Sequence, residues 1–123
     1  MIKRNMPFKR KDRVASQLKK AISRIIEIEI DDERLKEVTL TDITLSDDLR
    51  HARIYVGVSL TGGEREDVMR LLEKAKGFIK RNLSAYVRLK HMPTLTFEYD
   101  SSIDYGFKID KILRDIADDR TDR

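Results

Sequence analysis

The sequence predicts an α+β fold of two layers, in which helices cover one face of a three-stranded mixed sheet and the other face meets water. Three observations carry this reading. Apolar residues recur at helical spacing between Val14 and Ile26 and again between Val68 and Tyr86. Two runs rich in β-branched residues flank a Ser-Asp-Asp turn, and a third alternating run follows Pro93. The link between the second and third runs is long and helical, which suits a crossover between parallel strands, whereas the first two lie close enough to pair antiparallel.

In chain order, residues 1–8 read as a basic arm, with Pro7 breaking regularity before the first helix. Val14, Leu18, Ala21, Ile22, Ile25 and Ile26 then form the apolar stripe of that helix, which ends at the acidic run Asp31, Asp32, Glu33. Val38 to Leu45 is a strand. Ser46, Asp47 and Asp48 form a turn, and Ala52, Ile54, Val56 and Val58 alternate with Arg53, Tyr55 and Gly57 in the second arm of a hairpin. Thr61, Gly62 and Gly63 punctuate the chain. Val68, Leu71, Leu72, Ala75, Phe78, Ile79, Leu83 and Tyr86 follow at three- and four-residue steps, and the pattern runs straight through Gly77. A glycine inside a helix costs about 1 kcal/mol relative to alanine, so a kink at Ala75-Lys76-Gly77 that divides this stretch into a helix pair is expected. Leu95, Phe97 and Tyr99 mark one face of the third strand, and Ile109, Ile112, Leu113 and Ile116 a short last helix near residues 105–117. The order is αββααβ with a helical tail. It makes one domain, with a globular core over about 9–117 and a disordered end over about 118–123.

The chain has 123 residues and no cysteine, which excludes disulfides and cysteine-based zinc sites. No apolar stretch suits a signal peptide or a membrane span, so a cytoplasmic protein without membrane contact is expected. The net charge of +4 is unevenly spread. Residues 1–24 hold nine Lys and Arg against Asp12 alone, residues 27–37 are acidic, and residues 70–90 hold seven cations against Glu73. Two basic blocks brought together by folding would steer a polyanion more strongly than the mean charge implies. A glycine-broken helix flanked by lysines also suits phosphate, because restarted helix ends present unpaired N–H groups. Arg10, Arg13, Lys76, Gly77, Lys80, Arg81, Arg88 and Lys90 are therefore the candidate nucleic-acid contacts, with Ala75 and Gly77 at the kink.

The local residues resemble the ribosome-binding factor A family, bacterial assembly factors of the small ribosomal subunit with a type II KH-like fold. The resemblance spans roughly Phe8 to Leu113. It rests on Arg13-Val14-Ala15, Asp32-Glu33-Arg34-Leu35, Ser46-Asp47-Asp48-Leu49, Ala75-Lys76-Gly77-Phe78-Ile79, Pro93-Thr94-Leu95-Thr96-Phe97 and Asp100-Ser101-Ser102, in order and at family spacing. In that family an Ala-x-Gly kink replaces the Gly-x-x-Gly clamp of ordinary KH domains, and Gly-x-x-Gly is absent here. Lys80 and Lys90 stand where the family commonly has Arg, which keeps the charge and loses bidentate phosphate geometry, and Glu33 stands where it often has Pro. The resemblance implies a noncatalytic protein without cofactor or metal. Its implied partner is 16S ribosomal RNA within the free 30S subunit, at the 5′-terminal helix and decoding region, during late maturation and processing.

Other functional classes draw on further residues. Asp47, Asp48, Asp100 and Asp104 with His51 and His91 would suggest an enzyme only if they converged in one cleft. Tyr55 and Arg53 lie on the wet sheet face, where a surface pair with Thr or Glu partners outweighs a base-stacking role. The acidic stretch Asp31 to Glu37 leaves a second functional reading, a module docking on ribosomal proteins or an assembly GTPase without RNA readout. A monomer is the simplest oligomeric state, since no heptad is evident.

Overall fold

The computed structural model describes residues 10–59 and 62–121; the basic arm over 1–8 lies outside them. Helix α1 (Arg10–Arg24) buries Val14, Leu18, Ala21 and Ile22, the stripe expected from their spacing. It continues into a wider turn, Ile25–Glu29, closed by Ile30 N–H donating to the Ile25 carbonyl at 3.2 Å. Five residues per hydrogen bond rotate the chain away from the α1 phase, so Ile25 and Ile26 stay buried while Ile28 is exposed. The Asp32 side chain then caps a 3-10 turn, Glu33–Glu37, accepting from Arg34 N–H at 3.0 Å.

Strands β1 (Val38–Leu45) and β2 (His51–Val58) pair antiparallel, and β3 (Thr94–Tyr99) lies parallel on the other side of β2. The sheet order is β1-β2-β3. Ala52, Ile54 and Val56 of the central strand are buried under the helices, as are Leu95 and Phe97 of β3. β1 does not alternate simply: Leu40, Ile43 and Leu45 are the buried positions. Leu40 and Ile43, three apart, both face inward because a bulge between Leu40 and Asp42 inserts Thr41 into the ladder. The Thr41 hydroxyl lies 2.6 Å from Asp100 Oδ2 and 3.2 Å from the Tyr55 carbonyl oxygen, which ties the bulge to the end of β3.

The hairpin turn uses the residues the sequence singles out. Asp48 Oδ1 accepts from the Ser46 hydroxyl at 2.7 Å and from Arg50 N–H at 3.0 Å, and these bonds hold its carboxyl below the ordinary range. Leu49 has φ of 62°. That left-handed geometry costs a non-glycine residue on the order of 1 kcal/mol and is offset by packing of the Leu49 side chain against the core.

Helix α2 (Gly62–Leu83) is where the structure departs from expectation. The anticipated helix pair is one helix that passes Gly77 without a break. No restarted N-terminus exists there to offer free N–H groups. An added Cβ at Gly77 would meet only Arg81 Nη1, at 3.7 Å, so neither close packing nor a left-handed backbone demands glycine. Burial of Val68, Leu72, Ile79 and Leu83 outweighs one unfavourable residue in a 22-residue helix. Helix α3 (Ser102–Thr121) is also longer than the short helix expected, and includes residues 118–121 of the stretch expected to be disordered. Ile109, Ile112, Leu113 and Ile116 are exposed along it. α1 packs over β1 and α2 over β3, which leaves the opposite sheet face open. On that face Arg53 Nε pairs with Glu98 Oε2 at 3.0 Å.

Candidate nucleic-acid interface

The cations of α1 divide by flank. Arg10, Arg13, Gln17, Lys20 and Arg24 are spaced by three and four residues, so they form one stripe about 21 Å long at about 1.5 Å rise per residue. None of its four cations has a hydrogen-bond or ion-pair partner among the described residues. Lys11 and Lys19 lie on the flank toward β1 and are both engaged. Lys11 Nζ sits 2.9 Å from Asp47 Oδ1, and Lys19 Nζ donates to the Thr41 carbonyl at 3.3 Å. The Asp47 carboxylate raises the Lys11 pKa above its usual value through that bond.

The unpaired stripe forms one wall of a cleft of about 600 Å³, through Gln17, Lys20, Ala21 and Arg24. Its other wall is Tyr86, Val87 and Arg88, where the chain leaves α2. Beside it, Arg88 and Lys90 share a shallower depression with Ser84, Leu89 and Met92. Residues far apart in sequence thus meet on one surface: the end of the α1 stripe, from Gln17 to Arg24, and the segment from Tyr86 to Arg88. Lys20 and Arg24 belong to this surface, although in the sequence they stand out only as part of the basic block over residues 1–24. Their spacing from Arg10 and Arg13 was the available signal.

The α2 candidates fall elsewhere. Lys76 lies three helical turns after Arg65, whose guanidinium sits 4.0 Å over the Tyr99 ring of β3. It therefore occupies the α2 flank toward β3, away from α1, and its Nζ is 2.5 Å from Glu73 Oε2. Lys80 follows one turn later, half-buried and without a partner among the described residues. Gly77 and Arg81 are exposed one turn apart on the outer face. Folding brings Lys20 and Arg24 against Arg88, with Lys90 in the adjoining depression; Arg10 and Arg13 lie further along the same α1 stripe, and Ala75, Lys76, Gly77, Lys80 and Arg81 on a separate helix.

Three of the four carboxylates considered for chemistry are used in local structure, and the Asp104 side chain lies outside the described residues. Asp47 holds Lys11, Asp48 braces the hairpin turn, and Asp100 accepts from Thr41, from Ser102 N–H at 3.0 Å and from the Ser102 hydroxyl at 2.5 Å. Those bonds depress the Asp100 pKa, the Ser102 hydroxyl contributing most. Among the described residues, no group of three or more His, Asp or Glu side chains is placed to hold a metal ion. No helix there is long and apolar enough to cross a membrane.

Comparison with known proteins agrees with this architecture. The family model described as ribosome-binding factor A matches residues 10–113. A ribosome-binding factor A from Staphylococcus carnosus is 43% identical over 107 residues, covering 87% of this chain and 93% of the relative. The crystal structure of ribosome-binding factor A from Thermus thermophilus superposes with a TM-score of 0.67 at 27% identity, over 74% of this chain and 97% of that one. A solution structure of a Thermotoga maritima protein described as a putative ribosome binding factor A gives 0.66 at 27% identity, over 76% and 90%. A Thermus thermophilus homology model fitted into a cryo-electron-microscopy map of a 30S–RbfA complex gives 0.59 at 26% identity, over 71% and 91%.

Proposed function

Because the chain belongs to the ribosome-binding factor A family, whose members bind ribosomes and act in their assembly, we propose that it binds the free 30S subunit and assists late maturation of 16S ribosomal RNA. The observation that carries this is the sorting of cations. Lys11 and Lys19, on the flank over β1, are engaged by the protein's own oxygens, while the cations along the α1 stripe and at Arg88 and Lys90 have no such partner among the described residues. Unpaired cations on a 21 Å stripe keep their full charge for phosphate oxygens about one backbone repeat apart. The described complex of the Thermus thermophilus relative with the 30S subunit supports the same partner.

The role is positional and noncatalytic. A domain that grips one RNA arrangement more tightly than its competitors shifts the population toward it, and no bond need be made or broken. The test is cosedimentation of the protein with free small subunits and with whole ribosomes. Pelleting with the free subunit alone is the expected result; equal pelleting with both refutes the assembly role. Raising the salt separates RNA contact from a protein-only interface, since phosphate contacts make affinity fall steeply with log salt.

A further inference from the structure

The cleft between α1 and the chain leaving α2 holds more than backbone contact calls for. Lys20, Arg24 and Arg88 suit phosphate. Tyr86 adds an aromatic ring that is 40% exposed, next to the buried Val87. Its hydroxyl donates to Glu29 Oε2 at 2.9 Å, so the ring is anchored at its polar tip by the wide turn that follows α1. Gln17 contributes a neutral amide, both donor and acceptor, which has no hydrogen-bond partner among the described residues. The volume of about 600 Å³ falls within the size of small-ligand sites, roughly 300–1,000 Å³.

Resting on the RNA-binding reading above, we propose that this cleft receives one unpaired RNA base, stacked on Tyr86 and hydrogen-bonded at its edge by Gln17, with Lys20, Arg24 and Arg88 on the adjoining phosphates. An unpaired base uses all three kinds of group at once: its π-face on the ring, its Watson–Crick edge on the amide, its phosphates on the cations. A base inside a duplex offers neither face nor edge. The charge balance also fits: Glu29 is occupied by the Tyr86 hydroxyl, and Glu27 lines the neighbouring depression with Lys20 and Arg24, so the three cations of the cleft exceed these two carboxylates. Tyr55 offers no such platform, being half-buried on the open sheet face beside the Arg53–Glu98 pair.

The experiment binds the full chain and its variants to free small subunits and probes the subunit RNA with a reagent that modifies unpaired Watson–Crick edges. The unmodified protein is expected to protect at least one unpaired base. Tyr86→Leu, which keeps apolar bulk, re-exposes that base and weakens binding about tenfold, a change of about 1.4 kcal/mol, while the salt slope stays the same. Tyr86→Phe keeps protection, and Gln17→Ala loses it. Protection and affinity unchanged in a natively folded Tyr86→Leu protein, or no unpaired base protected by the unmodified chain, overturns the base pocket and leaves subunit binding standing. Failure of the unmodified chain to bind free subunits overturns the proposed function itself, and the pocket with it.

Discussion

Replacing Arg13, Lys20, Arg24 and Arg88 together by glutamine removes four cations that no carboxylate among the described residues holds. Each phosphate contact lowers the slope of log affinity against log salt by about 0.7 for single-stranded nucleic acid and about 0.9 for duplex, so losing four flattens it by about 3. Between roughly 50 and 200 mM salt, the fall in affinity then becomes about fiftyfold or more shallower. The matched control replaces Lys11, Arg34, Arg53 and Arg70, which lie against Asp47, Asp32, Glu98 and Asp67 respectively. Both variants lose the same formal charge, so a general field effect moves them equally. The stripe variant keeps its fold, because exposed unpaired side chains change stability by no more than about 0.5 kcal/mol. Binding to free small subunits across a salt series, with circular dichroism as the fold check, measures the two slopes. Equal flattening in both variants refutes the reasoning that unpaired cations mark the interface.

Gly77→Ala is expected to stabilise the protein by about 0.5–1 kcal/mol, since the new methyl meets only the end of the Arg81 side chain at 3.7 Å and α2 is continuous there. A raised melting temperature with subunit binding intact is the expected outcome; lost binding would return the glycine to a backbone contact with RNA. Leu72→Ala empties a fully buried site and should cost roughly 2–5 kcal/mol, read as a lower midpoint in urea with unchanged slope. Asp100 has its folded pKa depressed by Ser102 and Thr41, so its stabilising effect is present above the ordinary aspartate value of 3.8 and is lost as pH falls below it. Asp100→Asn should therefore lower stability at neutral pH and shallow the acid-side decline, which thermal melts across that range will show or contradict.

Several elements were legible in the chain because their cause is local or periodic. The stripe from Val14 to Ile22 announces the buried face of α1, and the Ser46-Asp47-Asp48 turn announces the hairpin, since its side chains bond their own backbone. The parallel pairing of β2 with β3 was legible from the length of the helical link between them. The bulge at Thr41 was not, although Leu40 and Ile43 stand out of phase: an inserted residue is visible only against a partner strand. Gly77 misled for a related reason. Propensity prices the glycine alone, whereas the continuous helix is stabilised by burial of Leu72, Ile79 and Leu83 along its whole length.

The sequence by itself determined which side chains are charged, which are apolar, and at what period each recurs; helix, hairpin and family follow from those. Which cations are free depended on distance across the fold. Lys11 and Arg13 are two residues apart, yet one meets Asp47 and the other has no partner among the described residues, because a helix turns about 100° per residue and aims them at different neighbours. Only the tertiary structure set Lys20 and Arg24 opposite Tyr86 and Arg88. Electrostatic and stacking contacts act over a few ångströms of space, whatever the separation along the chain.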